Sequence, residues 1–267
     1  MKTVSVIIPN YNRAQDLLAA VMSVLAQTYP VLEVIVCDDG STDNGKELIT
    51  ALNDSRVQWL DCGKNGMPSI PRNKGIAQSK GEWLAFLDND DAWHPEKLAK
   101  QMDALEKTRL LASSTNAYRI NHEGKNLGVL HSHALPAVLT MDELIHINWV
   151  ICSSAIIHCS LLDKVIGFPE SPTLRALEDY ALWLRVASIT SFAYVDEALV
   201  NYKDLPQQSI RANDDGKYIQ RERIFDNFYR WCQSTQMSEE LTKRARKMVR
   251  HAMRHNGKSI FERLRYK

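Results

Sequence analysis

The sequence predicts an α/β fold built on a parallel sheet, and two patterns in its first half carry this prediction. Across residues 4–107, short apolar runs rich in β-branched residues alternate with stretches whose apolar residues recur at helical spacing. Strict alternation of this kind produces βαβ units and a parallel sheet. The apolar runs are also continuous, as expected for strands that are buried on both faces.

Each element of the first half has its own signature. Leu17, Val21 and Val24 repeat at intervals of three and four, which indicates a helix. Pro95 stands where a first-turn proline is favoured. The expected strands are residues 4–9, 32–37, 57–60 and 83–87, and the expected helices are residues 13–27, 43–53, 69–79 and 95–107.

The second half is less regular. Residues 110–121 and 125–131 are expected to pair as a hairpin over Glu123 and Gly124. Residues 203–216 are polar and predict a long loop. The remaining expected elements are short helices at 141–147 and 160–166, a strand at 154–158, a helix at 176–188, strands at 192–195 and 198–202, and helices at 217–234 and 238–264.

Composition excludes several classes of protein. The chain of 267 residues is 45% hydrophobic and 24% charged, which is typical of a soluble globular protein and not of a disordered one. No apolar stretch reaches the roughly 18 residues of a transmembrane helix, and the N-terminus lacks the pattern of a secretion signal. Five scattered cysteines without a C-x-x-C pair favour reduced thiols and a cytoplasmic location.

Charge is unevenly distributed along the chain. The formal net charge is +1, yet residues 242–267 contain ten Lys or Arg and one acidic residue, Glu262. We expect a body at residues 1–215 and a basic helical extension at residues 216–267. Apolar residues of the extension recur at helical spacing among its cations, which is typical of a helix lying on an anionic membrane surface. The alternative is that its apolar side packs on the body or on a second copy of the chain.

Polar side chains follow three of the predicted strands. In an open parallel sheet, ligands bind beyond the carboxyl ends of the strands. Asp88 and Asp90 form a D-x-D triplet whose carboxylates can point to the same side and suit Mg²⁺ or Mn²⁺, whereas Asp91 can instead cap the next helix. Residues 40–46 match a phosphate loop, but Glu47 stands where that loop needs Ser or Thr, so we interpret them as a turn with Asp43 capping a helix.

Five motifs in order resemble one family. They are VSVIIPNYN at 4–12, VIVCDDGSTD at 34–43, RNKG at 72–75, WLAFLDNDD at 83–91, and GFP at 167–169 followed by LEDYALWLR at 177–185. The pattern resembles that of the inverting family-two glycosyltransferases with the GT-A fold, over about residues 3–202. The resemblance implies a Rossmann-like, mostly parallel central sheet flanked by helices, and a nucleoside diphosphate sugar as donor, usually a UDP-sugar.

The resemblance also implies roles for eight residues. Asp179 would be the general base that takes the proton of the acceptor hydroxyl in an inverting transfer, with Glu178 as a substrate-binding residue beside it. Asp90 would bind Mn²⁺ or Mg²⁺, which would neutralise charge on the leaving diphosphate. The donor would contact Pro9 and Tyr11 at the base, Tyr11 by stacking on uracil, Asp39 at the uracil N–H, Arg72 at the base or diphosphate, and Asp88 at the ribose.

Structural roles stay open at several of these positions. Tyr11 can pack on a helix, Arg72 can form a surface ion pair, and Glu178 with Asp179 can complement a helix dipole. The remaining alternatives are a turn-forming Asp38, a turn shaped by Asn73 and Gly75, a hairpin edge at His131 and His133, and a basic helix face at His251 and His255. Sugar contacts are expected near Trp149, Ser153 and Ser154, although Trp149 suits the core equally well.

The sequence also departs from the family pattern. Many relatives carry Tyr-Arg-x-His after the last strand, but here Tyr202 and Lys203 are followed by no histidine. Lys203 or Arg211 could meet the diphosphate instead, or could be solvated loop charges. The Q-x-x-R-W signature of processive synthases is absent, which favours transfer of one sugar over polymerisation.

We therefore predict a metal-dependent inverting hexosyltransferase of surface polysaccharide or lipopolysaccharide assembly, with a glycan or lipid-linked glycan acceptor. The expected location is cytoplasmic, with the extension at the inner face of the cytoplasmic membrane. The alternative is a catalytically silent nucleotide-sugar-binding or assembly subunit, and the presence of both Asp90 and Asp179 favours the enzyme. No nucleic-acid-binding module is recognised in the sequence, so nucleic acid is not an expected partner.

Overall fold

The computed structural model describes residues 2–203 and 216–256 and confirms the α/β prediction. Its strands are β1 (Val4–Asn10), β2 (Glu33–Asp38), β3 (Val57–Asp61), β4 (Trp83–Phe86), β5 (Ala92–Trp93), β6 (Ala112–Ile120), β7 (Asn126–Val129), β8 (Val138–Leu139), β9 (Ile156–His158) and β10 (Phe192–Lys203). Its α-helices are α1 (Ala14–Leu25), α2 (Gly45–Ala51), α3 (Ser69–Gln78), α4 (Lys97–Thr108), α5 (Met141–Leu144), α6 (Leu162–Val165), α7 (Glu178–Ala187), α8 (Lys217–Ser234) and α9 (Glu239–His255).

The described strands form one mixed sheet in the order β3-β2-β1-β4-β9-β6-β10-β5, with β7 beside β6 and β8 beside β10. Strands β1 to β4 are mutually parallel, as are β6 and β10. Strand β9 runs antiparallel to both of its neighbours, β4 and β6. The parallel first half therefore continues into an irregular second half without a break in the sheet.

Helices cover both faces of this sheet. Val6 and Ile8 of β1 pack in one apolar core with residues of α1 and α4. Ile7 faces the other way, into a second core that contains residues of α7, α8 and α9. Because successive side chains of a strand alternate between faces, an uninterrupted apolar run is what a doubly covered strand requires. The carboxyl ends of β1, β2 and β4 consequently open at one edge between two helical layers.

Three sequence expectations differ from the structure. Helix α4 begins at Lys97, because the chain first turns through Pro95, whose carbonyl accepts the Thr28 N–H, and Lys97 N–H donates to His94 O. Residues 192–203 form one strand where two were expected, since Asp196 and Glu197 lie in a bulge that keeps the pairing with β6. The two-residue strands β5 and β8 were not predicted.

Gly75 allows α3 to lie directly on the sheet. A Cβ at this position would stand 2.4 Å from Cys37 Sγ and 2.9 Å from Ile7 Cγ2, distances shorter than van der Waals contact. Gly75 and Asn73 both lie within α3, so neither shapes a turn. The close approach fixes α3, and with it Arg72, against β1 and β2.

One lysine is enclosed completely. Lys97 Nζ donates to Gln101 Oε1 at 2.7 Å and lies 3.9 Å from the centroid of the Trp93 ring. Burial lowers the pKa of Lys97 well below its usual value. Gln101 in turn donates to Ser113 and to the carbonyl of Ser154, so a buried polar network joins α4 to the centre of the sheet.

The two C-terminal helices pack on the protein. The apolar side of α9, formed by Ala245, Met248, Val249, Ala252 and Met253, is buried in the same core as α7 and α8. For this helix the structure thus favours packing on the protein over exposure of the apolar side to lipid. Ile260, Phe261 and Leu264, which extend the predicted helix, lie outside the described residues. Among residues 2–203 and 216–256, no helix is at once long and apolar enough to cross a bilayer.

We expect Gly75→Ala to destabilise the protein by about 1–3 kcal/mol, because overpacking a close helix–sheet contact forces neighbouring side chains to move. The measurement is urea unfolding followed by circular dichroism. Gln78→Ala, at an exposed position of the same helix, is the control and should change stability little. If Gly75→Ala were stabilising, as an unconstrained Gly→Ala change inside a helix is, the close approach would be wrong.

Candidate active site

A cleft of about 1140 Å³ opens at the carboxyl ends of β1, β2 and β4 and extends to the first turns of α7 and α8. The structure brings to this one cleft the eight residues to which the family resemblance gives a role. They are Pro9, Tyr11, Asp39, Arg72, Asp88, Asp90, Glu178 and Asp179.

At one end of the cleft, Asp39 organises the wall. Its Oδ1 accepts the Asn65 backbone and side-chain N–H at 2.8 and 2.7 Å, and its Oδ2 accepts the Gly66 N–H at 2.8 Å. Tyr11 is 46% exposed at the same end. A half-exposed ring beside a buried carboxylate forms a site with one flat apolar face and one hydrogen-bond acceptor.

The loop after β2 is a closed turn. Asp38 accepts the Ser41 hydroxyl and N–H and the Asn10 side-chain amide. Asp43 accepts the N–H groups of Gly45 and Ala14, which are the first residues of α2 and α1. Carboxylates therefore occupy the amides with which a phosphate loop would bind its ligand, in agreement with the interpretation of residues 40–46 as a turn.

Arg72 joins the strand end to α7. Its Nη2 donates to Asp88 Oδ1 at 2.5 Å and its Nη1 to Glu178 Oε1 at 2.8 Å. The guanidinium is buried, with 4% of its side chain exposed, and its central carbon lies 5.2 Å from the centroid of the Phe168 ring. Arg72 is thus an interior ion-pair partner and not a surface one. The second oxygen of Glu178, Oε2, is buried without a hydrogen-bond partner in the described part of the chain.

Asp90 lies where two influences on its charge oppose each other. Burial and the neighbouring Asp88 raise the pKa of Asp90, while Arg13, whose Nη1 is 3.6 Å from Asp90 Oδ2, lowers it. A cation at this position would relieve the repulsion between the two carboxylates. Within residues 2–203 and 216–256, no three His, Cys, Asp or Glu side chains form a metal-binding group. Asp88 and Asp90 together offer the one or two carboxylates with which Mg²⁺ is commonly bound beside phosphate and water oxygens.

Asp91 supports the carboxyl end of β4 through buried hydrogen bonds. Its Oδ2 accepts the Ser153 hydroxyl at 2.5 Å and its Oδ1 accepts the Lys203 N–H at 2.8 Å, while Ser153 Oγ accepts the Asp88 N–H. Burial, with Asp90 and Asp88, raises the pKa of Asp91 well above its usual value. Asp91 therefore ties β10 to the D-x-D segment and does not cap α4.

Asp179 lies in the first turn of α7 and lines the cleft with 8% of its surface exposed. Its Oδ1 accepts the Tyr180 N–H at 2.7 Å, and its Oδ2 accepts the Asn148 amide at 3.5 Å. The carboxylate satisfies a helix-start amide and also faces the cleft, so the structural and the chemical role of a first-turn acid coexist here.

Other predicted positions have structural partners. Asn73 brackets Phe168 by accepting its N–H and donating to its carbonyl, both at 2.8 Å. Trp149 packs against the core and lies edge-on to His131. Lys203 forms an ion pair with Asp16, and Arg211 lies outside the described residues. Asn65, Ser153 and Asn148 contact the predicted site residues. Asn65 and Asn148 belong to none of the motifs and could not be predicted, whereas Ser153 was expected near the sugars from its position alone.

Comparison with known proteins assigns the family. The profile of glycosyl transferase family 2 matches residues 5–165. The chain belongs to this family. It is 32% identical over 224 residues to the UDP-Glc:α-D-GlcNAc-diphosphoundecaprenol β-1,3-glucosyltransferase WfaP of Escherichia coli, covering 84% of this chain and 86% of WfaP. An uncharacterized glycosyltransferase of Rickettsia conorii is 34% identical over 198 residues, which is 73% of this chain but 32% of that longer protein.

Solved structures confirm the GT-A type of fold. Staphylococcus aureus TarS in complex with UDP-GlcNAc aligns with a TM-score of 0.69 at 18% identity, over 95% of this chain and 72% of that one. The mannosyltransferase PcManGT of Pyrobaculum calidifontis, in complex with GDP-Man and Mn²⁺, aligns with a TM-score of 0.64 at 17% identity, over 92% and 69% of the two chains. At this identity the likeness concerns the fold alone.

We expect Arg72→Met to destabilise the protein by about 3–5 kcal/mol, because it leaves Glu178 as an unpaired buried carboxylate. The double variant Arg72→Met/Glu178→Leu should recover most of this loss. Urea unfolding of the variants measures both effects. Arg56→Met, which breaks a surface pair with Asp54, is the matched control and should change stability by at most about 1 kcal/mol. An equal effect of the two Arg→Met changes would contradict the buried bridge.

Proposed function

We propose that the protein transfers a single hexose, with inversion, from a UDP-sugar to a glycan acceptor on a lipid carrier. The observation that supports this most strongly is the Arg72 bridge. It joins Asp88, at the end of β4, to Glu178, which directly precedes Asp179. The carboxylates proposed for the donor and the proposed base therefore belong to one rigid cleft, as a direct transfer between two bound substrates requires.

The donor would bind across the ends of β1, β2 and β4. The exposed ring of Tyr11 would stack on the uracil, with Pro9 beside it, and a flat π-face suits a pyrimidine. Asp39 Oδ2 accepts the Gly66 N–H and keeps a lone pair for the uracil N–H. Asp88 would accept a ribose hydroxyl while Arg72 fixes its orientation. WfaP, by its name a UDP-Glc enzyme, supports the choice of UDP.

Asp90, with Asp88 next to it, would hold Mn²⁺ or Mg²⁺. The bound ion would supply charge neutralisation at the leaving diphosphate. Two neighbouring carboxylates would leave the remaining coordination positions of the ion to phosphate and water oxygens. Arg13, 3.6 Å from Asp90, would orient the carboxylate.

Asp179 would accept the proton of the attacking acceptor hydroxyl. Its first-turn position places the carboxylate at the positive end of the α7 dipole, and the Asn148 and Tyr180 hydrogen bonds orient it. The unpartnered Oε2 of Glu178 would accept a second hydroxyl of the bound sugars. Proton transfer at Asp179 and departure of the diphosphate near Asp90 then occur at different parts of the cleft.

The proposed class of acceptor is based on the acceptor named for a relative. WfaP is named for a diphosphoundecaprenol-linked acceptor, and a role in surface polysaccharide assembly at the inner face of the cytoplasmic membrane accords with such a substrate. We propose residues 1–215 as the transferase unit and residues 216–267 as an extension whose described helices brace it. A silent binding subunit is the alternative, and the presence of Asp90 and Asp179 in one cleft argues against it.

We expect EDTA to abolish transfer and Mn²⁺ or Mg²⁺ to restore it, because the leaving diphosphate would otherwise depart without charge neutralisation. Asp90→Asn should abolish the rescue while the fold is retained. Release of UDP from a panel of UDP-sugars is the assay. Asp103→Asn, an exposed change on α4, should leave the rescue intact. Full activity in excess chelator would disprove the metal requirement.

We expect Asp179→Asn to lower kcat by roughly 10²–10⁴-fold, because asparagine keeps the size but cannot take a proton. The affinity for UDP-sugar, measured by calorimetry, should hardly change. Asp163→Asn, in the first turn of α6 and exposed, controls for loss of a helix-start acid. Near-normal turnover of Asp179→Asn would leave this residue a purely structural role.

A further inference from the structure

The end of the cleft beyond Asp179 is lined by cations. We define the α8 cation cluster as Arg175, in the turn before α7, together with Lys217, Arg221 and Arg223 on the first two turns of α8; all four line the cleft. Lys217 is the first residue of an 18-residue helix, whose N-terminus adds further positive potential.

We infer that the α8 cation cluster binds a phosphate or diphosphate group carried by the acceptor. This inference rests on the proposed function, and it adds a site to the cleft: the glycan acceptor would be recognised through the anionic linkage at its reducing end as well as through its sugar.

Charge balance supports a site for an anion. At the β4 end, three cations are already neutralised by protein carboxylates: Arg13 by Asp90, Arg72 by Asp88 and Lys203 by Asp16. In contrast, Arg175 and Lys217 form no ion pair within residues 2–203 and 216–256. Cations that no carboxylate of the described residues neutralises can form charge-assisted hydrogen bonds to a ligand phosphate.

The backbone also directs the cluster towards the cleft. Ala176, between Arg175 and the start of α7, has φ +63, a left-handed conformation that an alanine adopts only when its surroundings impose it. Arg221 donates to the carbonyl of His146, which fixes the first turns of α8 beside the loop that carries Asn148. The Arg221 contact thus places the first turns of α8 close to Asn148, which donates to Asp179.

The position distinguishes the acceptor from the donor. Under the proposed function the donor diphosphate lies beside Asp90, whereas the cluster belongs to the elements that flank the base. Glu178 and Asp179 would repel a phosphate brought to this end of the cleft, so a phosphorylated acceptor needs compensating cations there. The α8 cation cluster supplies them.

The test compares two acceptors that differ only in charge. The first is GlcNAc-diphosphate bearing a short alkyl chain, and the second is the matched uncharged alkyl GlcNAc glycoside. We expect the wild-type protein to bind the diphosphate form at least about tenfold more tightly, because charge-assisted hydrogen bonds are lost in the glycoside. Calorimetric binding in the presence of UDP measures this without turnover. Equal binding of both forms would overturn the inference.

Variants identify the cluster as the cause. Arg175→Gln/Lys217→Gln should raise KM for the diphosphate acceptor by about 10–100-fold, leave the glycoside unaffected, and leave the KM for UDP-sugar unchanged. Lys247→Gln/Arg250→Gln removes the same charge from exposed positions of α9 outside the cleft and should change neither. A raised KM for UDP-sugar would assign the cations to the donor diphosphate and overturn the inference, as would equal effects of the two double variants.

Different results would contradict the proposed function and the inference about the α8 cation cluster. If the wild-type protein releases UDP from no UDP-sugar, the proposed function fails and the inference falls with it. If it releases UDP and transfers sugar, but accepts the diphosphate and the uncharged acceptor with the same KM, the function stands and the α8 cation cluster has no acceptor role.

Discussion

The buried guanidinium of Arg72 is the contact on which the rest of the site depends. It is enclosed by protein, so each of its two carboxylate partners must remain in place or leave a desolvated charge behind. Those partners belong to opposite halves of the chain, one at the end of β4 and one at the start of α7. The close packing of Gly75 against β1 and β2 fixes the helix that carries Arg72. Helix packing, charge pairing and the geometry of the cleft are therefore one linked constraint.

The lining of the cleft contains both carboxylates and cations. Carboxylates that already have cationic partners are gathered at the β4 end, while α8 presents cations at the other end. The basic character that the sequence concentrates near its C-terminus thus begins within the site. The more distal helix α9 instead buries its apolar side on the protein and exposes Lys243, Lys247, Arg250 and Arg254, whereas Arg246 lies over the Tyr229 ring.

Most of the secondary structure that could be predicted depends on local patterns of apolar residues. Strands β1, β2 and β4 agree with the sequence to within a residue or two, because each is a continuous apolar run that must be buried on both faces. Asp196 and Glu197 resemble a turn in the sequence, and only the neighbouring strand β6 shows that they form a bulge. The contact between Arg72 and Glu178 spans 106 residues, so no spacing rule predicts it; the family resemblance placed both residues in the site but not against each other. The roles of the eight site residues stay predictions.

The buried amino group of Lys97 makes the folding stability of the protein depend on pH. In the unfolded chain Lys97 regains its ordinary pKa, so between the lowered pKa of the folded state and the usual value of 10.5 the unfolded protein binds the additional proton. Stability then rises with pH across that interval, because folding releases a proton there. Gln101, which accepts from Lys97, donates to the carbonyl of Ser154, and the adjacent Ser153 donates to Asp91. The same hydrogen-bond network thus connects this pH-dependent lysine to the residues that support the D-x-D segment.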